Sequence, residues 1–595
     1  MHALLSLGLV AQLSAALPAD SIETLRDRAR NAEARFERLS RQLAPLSWSG
    51  SFGTDCDEIV GRFCLRFDSM TTRPATLGVE AGRIVDARRE AVEAIRRYFS
   101  AVPADRRAAG PLVRLLIRDG RAAEAASGAG AFAALSPDTL WSELLQGLAH
   151  HWAGAGVRAE RHFIAALGRM PEPERRRWLD PTWLLDHSER SAVRRLSDQE
   201  RADYERRFWL LMDPLWLTAA NERWNEHIAR HVEARLQANV PTVTGMVRWG
   251  ADLDQLTIRY GTPTARARQN APMMDRAGII EYWDTAQRAY APARLSRGVA
   301  LQPPPGERPF LYAASARSGY TLQTVDRMVE LAHQATRFLR GDSVVLRVDA
   351  AMPLHERATD TASIRAPQSM SGAATVSVRS SPRAGVFVYD SAFTRRTSAT
   401  GPAVIDGDTV RFALFAGAPA GALVYSAEIL GDSLAAAGRA RYAIDTPFPE
   451  SGIALSDLLI TRRFSPGESA EGMNDPRLRP FTTLVFVPGD TIGIYAEVYR
   501  TGRTGAVDIQ VALEAAGRPS LPGRLARWLG RTLGITEPGE DPRVGWRGEA
   551  TNARYVIALN VPLLEGRDGL FDLVVRVTDP STGEQTEARR RIRLD

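Results

Sequence analysis

A spacing of 34 residues recurs in one stretch of the chain and constrains its fold more than any other sequence feature. The recurring positions are Pro103, Pro137 and Pro171, with Ala91, Ala125 and Ala159 each twelve residues before one of them. A regular spacing of this length is typical of repeats built from one helix pair each, which stack because no single pair can bury its apolar face. Residues 85–185 are therefore predicted to form stacked helix pairs.

The copy that ends at Pro171 resembles the helix-pair consensus of the tetratricopeptide repeat. Its matching residues are Gly147, Ala159, Phe163, Ala166 and Pro171. Small residues let two helices approach closely, the phenylalanine fills the space between them, and the proline ends the second helix. The copy before it has Val113 at the position of Gly147, and Pro74 and Gly78 argue against a first helix immediately before Ala91. The resemblance implies either a groove that holds a peptide or a packing surface for a neighbouring domain.

Residues 186–300 carry the densest cluster of aromatic and polar motifs. In chain order these are Phe208-Trp209, Asp213-Pro214, Asn221-Glu222, Trp249 with Asp252, Tyr260-Gly261-Thr262-Pro263 and Glu281-Tyr282-Trp283. This order resembles the GWxTD-domain family of bacterial envelope-associated proteins, although Arg248 and Ala251 replace the glycine and threonine of the name-giving motif. The resemblance implies a small α+β domain with a strand over 255–260, and a location in the cell envelope. The family has no established activity to carry over.

The polar residues of this GWxTD-like segment have two interpretations. Trp249 is expected to bury a large apolar area, and Asp252 to cap or accept from the backbone of the following turn. Alternatively, Asp252, Glu222 and Arg259 form a polar pocket beneath the tryptophan. An enzyme acting on an envelope polymer or peptide would have its site there, but no residue is singled out as catalytic.

Residue types exclude several enzyme classes. All 76 basic residues are arginine, which excludes a Schiff-base lysine and the lysines of phosphate-binding loops and kinases. His227 and His231 share a helix face but lack the HExxH glutamate, so they are expected at a surface or interface. His150, His151 and His162 are expected in packing or on a polar surface. The chain is expected to hold no metal and no cofactor, and a non-enzymatic role is favoured.

The net charge of the chain bears on its partners, and its first residues bear on its location. The net charge of +6 arises from 76 basic and 70 acidic residues scattered along the chain, so nucleic acid is not an expected partner. Residues 1–16 form an apolar stretch that ends in Ser14-Ala15-Ala16. We expect this stretch to be an export signal, the alternative being an ordinary N-terminal helix.

The two cysteines lie within residues 17–84, where a helix and a turn are predicted. A turn at Val60-Gly61 would bring Cys56 and Cys64 opposite each other. In an exported protein these cysteines are expected to form a disulfide, and the alternative is two unpaired core cysteines.

Beyond residue 305 the pattern changes to short strands separated by Gly, Pro, Asp and Ser. The expected strands are 344–348, 375–379, 386–389, 409–415, 422–429, 454–461, 482–487, 491–499, 507–513, 554–561, 570–577 and 586–594. This spacing favours two immunoglobulin-like β-sandwiches, over 333–450 and 451–595. Residues 357–371 and 466–479 are expected to be long surface loops.

An insertion at 519–545 interrupts the second predicted sandwich. Leu525, Trp528 and Leu529 recur at helical spacing beside several arginines. A basic amphipathic helix of this kind can lie on an anionic membrane surface, and the alternative is a helix that caps the open end of the sandwich.

These expectations together describe a multi-domain α plus β protein exported to the periplasm or cell exterior of a bacterium. Its favoured function is a non-catalytic scaffold for a protein or peptide partner in the cell envelope. The alternatives are an envelope enzyme with its site in the GWxTD-like domain, and a peripheral membrane-surface protein that uses residues 524–535.

Overall fold

The chain forms two compact units in a computed structural model, a helical one within residues 19–282 and a strand-rich one within 327–595. Their succession confirms the predicted α plus β class. No helix among the described residues has the length and apolar character needed to cross a membrane. The structure describes residues 19–43, 58–61, 63–65, 81–185, 187–240, 249–262, 265–269, 278–282, 327–354, 381–390, 392–394, 396–431, 436–444, 448, 452–500, 505–515, 543–550, 554–563, 565–566 and 568–595.

The helical unit consists of helices and two short antiparallel hairpins. Its described helices are α1 (Ala19–Gln42), α2 (Gly82–Ala101), α3 (Arg106–Arg118), α4 (Ala122–Leu135), α5 (Thr139–Trp152), α6 (Gly156–Arg169), α7 (Glu172–Leu179), α8 (His187–Val193), α9 (Asp198–Met212), α10 (Glu222–Ala238) and α11 (Ala251–Tyr260), with a 3₁₀ turn at Pro181–Leu184. The hairpins are β1 (Glu58–Val60) with β2 (Phe63–Leu65), and β3 (Ala265–Gln269) with β4 (Gly278–Tyr282).

Helices α1 to α6 pack as three successive pairs, and the repeated alanines lie at equivalent places within them. Ala91, Ala125 and Ala159 are buried in the second helix of each pair, α2, α4 and α6. In the third pair, a Cβ added to Gly147 of α5 would overlap the ring of Phe163. The close approach of α5 to α6 therefore depends on the missing side chain at this position.

The first helix of the first pair comes from much earlier in the chain than the repeat spacing predicts. Helix α1 packs against α2, and Glu33 and Glu37 of α1 form ion pairs with Arg114 of α3. The chain between α1 and α2 includes the β1–β2 hairpin. Pro74 and Gly78 lie outside the described residues, so the expected absence of a helix there stays a prediction, and α1 takes the place of a first helix in this pair.

A second cluster of buried apolar residues joins α9 and α11 to the β1–β2 hairpin. Its core includes Val60, Leu185, Phe208, Met212 and Leu256. A capping box, in which Ser197 and the Glu200 side chain satisfy each other's backbone N–H groups, begins α9. Gly61 in the hairpin turn has φ +54°, and a Cβ there would collide with Asp252. The hairpin turn thus lies directly on the first turn of α11.

The strand expected over 255–260 is wrong, because these residues belong to helix α11. Trp249 Nε1 donates to Asp254 Oδ1 at 2.8 Å, and two aspartates lie in the first turn, where the helix dipole favours negative charge. Gly261, with φ +80°, ends the helix. The five residues 256–260 at the end of this helix are all buried.

The first half of the strand-rich unit is a two-sheet sandwich. Its strands are β5 (Arg327–Glu330), β6 (Ala332–Arg340), β7 (Ser343–Pro353), β8 (Arg383–Asp390), β9 (Arg396–Pro402), β10 (Val404–Asp406), β11 (Thr409–Ala418), β12 (Leu423–Gly431) and β13 (Ala436–Ile444). The sheet orders are β10-β11-β7-β6 and β5-β13-β12-β8-β9, and β5 runs parallel to β13. Leu346, Val386 and Tyr425 lie in the core between the sheets.

The second half also has two sheets around one core. Its strands are β14 (Ile453–Leu455), β15 (Leu459–Arg462), β16 (Val485–Phe486), β17 (Thr491–Arg500), β18 (Gly505–Ala515), β19 (Arg543–Ala550), β20 (Arg554–Pro562), β21 (Gly569–Thr578) and β22 (Gln585–Leu594). One sheet has the order β14-β17-β15 with β20 also paired to β17, and the other has β16-β22-β21-β18-β19. Ile494, Ile509 and Val575 lie in its core.

Strand β6 binds the two sandwiches together. The Gln334 side chain donates to Ile460 O at 2.8 Å and accepts from Ile460 N at 3.0 Å. Arg337 donates two hydrogen bonds to the Asp457 carboxylate, at 2.8 and 2.9 Å. Because these contacts are directional and largely removed from solvent, the two sandwiches form one unit rather than two linked domains.

The expected surface loop at 466–479 is wrong in part. Ala470, Met473 and Leu478 are buried in a cluster with Phe338 of β6. The loop fills the junction between the sandwiches, which its polar sequence did not indicate. The other expected loop, 357–371, and the expected strand 375–379 lie outside the described residues.

We expect Gly147→Ala to destabilise the helical unit by about 1–3 kcal/mol, because the added methyl group must displace the Phe163 ring. Gly130→Ala in α4 is the matched control, since a Cβ there meets no atom within 4 Å, and it should stabilise the unit by about 0.5–1 kcal/mol. Urea denaturation followed by hydrogen exchange of the α5 and α6 amides measures both. Equal effects of the two substitutions would contradict this account of the helix pair.

Candidate functional site

Helix α10 lies at the centre of the helical unit and is buried around almost its entire circumference. It packs against α3, α5 and α6 on one side and against α11 on another. Asn221 caps its first turn by accepting a hydrogen bond from Trp224 N at 2.9 Å. The first helices of two repeat pairs, α3 and α5, therefore face a helix of the same chain. This is the packing role that the sequence left open beside peptide binding.

The carboxylate of Glu226 connects α10 to the repeat helices. His151 Nε2 donates to Glu226 Oε2 at 2.7 Å, and Arg230 Nε donates to Glu226 Oε1 at 2.6 Å. Burial alone would raise the pKa of Glu226, but the charge of Arg230 and the hydrogen bond from His151 outweigh it and hold that pKa far below its usual range. Arg230 Nη1 also donates to Arg259 O at 2.6 Å, which ties α11 to the same centre.

His227 and His231 were expected at a surface or interface, but both are buried among aromatic rings. His227 Nε2 donates to Trp178 O at 3.0 Å, and the His231 ring stacks on Trp178 at 4.9 Å. Burial, reinforced by nearby arginines, lowers the pKa of His231 to about 3 and that of His227 well below its usual value. Both rings are therefore neutral at pH 7. In the described part of the chain, no three His, Cys, Asp or Glu side chains are grouped closely enough to hold a metal.

A cavity of about 170 Å³ remains between α3, α5, α10 and Thr262. Ile117, Leu148 and Leu236 supply apolar walls. Trp152 and Glu233 meet at its edge, where Trp152 Nε1 donates to Glu233 Oε1 at 2.8 Å. Convergent polar groups inside a mostly apolar cavity are typical of sites for small ligands.

The electrostatics of Glu233 differ from those of Glu226, although both are buried on α10. Burial, together with the negative charge of Glu226, raises the pKa of Glu233 to about 8. The hydrogen bond from Trp152 and the charges of Arg230 and Arg118 oppose this shift without cancelling it. Glu233 therefore carries a proton at pH 7.

The residues of the polar pocket expected from the sequence make the following structural contacts, and the pocket itself stays a prediction. Trp249 bonds to Asp254 rather than to Asp252. Asp252 Oδ1 accepts from Leu253 N at 2.9 Å at the start of α11. Glu222 is buried in the first turn of α10, and the buried Arg259 guanidinium lies 5.6 Å from the Tyr260 ring centroid.

The other sequence-predicted sites lie wholly or partly outside the described residues. Cys56 is outside, and the hairpin register pairs Cys64 with Ile59, so the disulfide stays a prediction. Residues 1–16 and the candidate membrane contacts Leu525, Trp528 and Leu529 are outside as well.

Glu226, Glu233 and Trp152 belong to no motif that predicted a site. A signal for the first two existed, because Glu226, Arg230 and Glu233 recur at helical spacing and so share a face of α10. Charged residues around a whole helix usually indicate solvent on all sides. Here they are buried because each faces a partner from another helix or the cavity.

Comparison with known proteins gives no assignment. No protein-family model matches the chain, and no curated protein matches it. The solved structure of Salmonella α-2-macroglobulin reacted with methylamine aligns with 45% of this chain and 16% of its own, at 12% identity and a TM-score of 0.14. A protein from Corynebacterium diphtheriae described as membrane anchored aligns with 45% of this chain and 57% of its own, at 10% identity and a TM-score of 0.16. This chain thus matches less than two thirds of either protein, and likenesses this weak carry no argument on function.

The buried histidines predict how the stability of the helical unit depends on pH. His231 is neutral in the folded state down to pH about 3, whereas an unfolded histidine takes up a proton below about pH 6.5. Stability is therefore lost as the pH falls below 6.5. His231→Phe keeps a ring on Trp178 and should reduce the slope of unfolding free energy against pH, between pH 6 and 4, by about 1.4 kcal/mol per pH unit.

Hydrogen exchange of the α10 amides in urea measures this slope without interference from the strand-rich unit. The exposed His187→Gln is the matched control and should leave the slope unchanged. An unchanged slope in His231→Phe would show that His231 is protonated in the folded state.

Proposed function

We propose that this chain is a non-catalytic scaffold of the bacterial cell envelope, which binds a partner protein through the edge of its first β-sandwich. The proposal includes an exported chain, repeats of the tetratricopeptide type, a GWxTD-like domain over 186–300 and immunoglobulin-like sandwiches. The order of motifs along the chain supports it. The structural bonds of Asp252 and Trp249, described above, favour a scaffold over an enzyme with its site at these residues.

Strand β10 carries this proposal. It is the last described strand at one edge of the sheet β10-β11-β7-β6. Val404 is 64% exposed and Ile405 is 51% exposed, although consecutive residues of a strand point to opposite faces. Both faces of this edge are thus open and apolar, which suits an extended segment of a partner that adds as a further strand.

The repeat helices are a less suitable binding surface, because α10 already covers α3 and α5. Asn225 Nδ2 of α10 donates to Gly156 O at 3.0 Å, and Arg235 forms an ion pair with Glu174. A peptide would have to displace a helix held by these contacts and by the Glu226 centre.

The double substitution Val404→Arg and Ile405→Arg tests the proposal. Charges on an edge strand oppose strand addition, so we expect a loss of partner affinity of at least about tenfold, or about 1.4 kcal/mol. Both side chains are exposed, so the melting temperature should change little. Cross-linking of the tagged chain in native cells, with cross-link sites mapped by mass spectrometry, identifies the partner, and titration of that purified partner measures the affinity.

Val544→Arg provides the matched control, because Val544 is 62% exposed on β19, an edge strand of the second sandwich. It should leave the partner bound. Loss of binding in the control alone, or cross-links confined to residues 85–180, would refute the β10 site. A mature N-terminus near Leu17 in a periplasmic or medium fraction is expected from the export proposal, whereas an intact Met1 in the cytoplasm would refute it.

A further inference from the structure

Several buried carboxylates in and beside α10 are held by cations, and the carboxyl group of Glu233 differs from them. Arg114 donates to Glu37 at 2.8 Å and to Glu33 at 2.6 Å. Glu226 is held between His151 and Arg230, as described above. Glu233 is only 9% exposed, and within the described part of the chain its carboxyl accepts a hydrogen bond from Trp152 and forms no ion pair.

Two further residues with side-chain oxygens line the cavity that contains this carboxyl group. Gln237 and Thr262 line it together with Glu233, and their side-chain oxygens can accept hydrogen bonds. Arg114 and Arg118 also line it, but Glu33 and Glu37 balance their charges; Arg118 Nη1 lies 3.3 Å from Glu37 Oε1. Among the charged residues that line the cavity, only Glu233 therefore lacks an ion-pair partner in the described part of the chain.

An ionised Glu233 would lack a positively charged partner in the cavity, and this distinguishes between classes of ligand. The raised pKa of Glu233, about 8, means that a proton supplies this charge at pH 7. A ligand ammonium group can do the same while it donates to the carboxylate oxygens, and an indole ring in the same wall attracts cations. An anionic ligand would instead place a second negative charge beside an acid that is already hard to ionise.

Size and wall chemistry limit the rest of the ligand. Engineered apolar cavities of about 150 Å³ bind molecules of the size of benzene, and this one has about 170 Å³. Its apolar side is formed by Ile117, Leu148 and Leu236, which suits a short hydrocarbon group.

We propose that this cavity binds a small primary alkylammonium ion, whose charged group donates hydrogen bonds to the carboxylate of Glu233. No covalent bond forms or breaks apart from loss of the proton that Glu233 carries at pH 7, which passes to the solvent as the ligand enters. The proposal concerns the helical unit and is independent of the partner site at β10.

Isothermal titration calorimetry of the full chain with n-butylamine tests this proposal. Only the ionised fraction of Glu233 is competent to bind, so the affinity should increase about tenfold from pH 7 to pH 9. At pH 7, titrations in buffers of different ionisation enthalpy should reveal about one proton released for each amine bound. The uncharged 1-butanol and the anionic butyrate, which have similar hydrocarbon groups, should bind at least about tenfold more weakly.

Two variants and one salt complete the test. Glu233→Gln keeps an acceptor for Trp152 and removes the charge, so it should abolish binding of the amine, while the exposed Glu93→Gln should bind like the wild type. Potassium chloride at the amine concentration should not compete. If Glu233→Gln does not fold, the wild-type pH dependence and proton release decide the matter alone.

Several results would overturn the proposal. Absence of binding at pH 9, an affinity that falls from pH 7 to pH 9, or equal binding of 1-butanol would each exclude a site for an ammonium group. Preference for butyrate would show that the lining arginines bind an anionic group, and competition by potassium would show that the cavity binds inorganic cations.

Discussion

The carboxylate of Glu226 is the contact on which the organisation of the helical unit depends. It joins α10 to α5 through His151, and Arg230 carries the connection on to the carbonyl end of α11. Removal of one partner from a buried ion pair costs about 3–5 kcal/mol, because a charge is left without compensation. The repeat helices, α10 and α11 are therefore stable as one body, and each is poorly suited to exist without the others.

The same constraint explains why charged residues can surround a buried helix. Each ionisable group on α10 needs a partner or must become neutral. Glu226 has partners and stays ionised, whereas His227 and His231 become neutral. Glu233 also becomes neutral, but at the wall of a cavity rather than against packed side chains. Burial thus has a different consequence for each group, which depends on what other elements place beside it.

Sequence periodicity predicted the part of the fold that depends on local packing. Ala91, Ala125 and Ala159 are fully buried in the second helices, because only a small side chain permits the approach of each helix pair. Sequence periodicity could not predict the position of α10, because that position depends on contacts with elements distant in the chain. For residues 255–260 the resemblance implied a strand, but the acidic first turn and the positive φ of Gly261 favour the helix α11.

Local sequence patterns were also an incomplete guide to the strand-rich unit. Alternation of apolar and polar residues predicted strands with one face in a core, such as β18 and β21. It missed β6 because Gln334, Thr336 and Arg337 are all buried, so no solvent-facing side marks the strand. These side chains bind the second sandwich through directional hydrogen bonds. The polar edge strand β6 is therefore covered by the second sandwich, whereas the edge strand β10 exposes apolar residues on both faces. The reversal identifies β6 as an interface already filled within the chain, and it supports the proposal that a partner strand adds at β10.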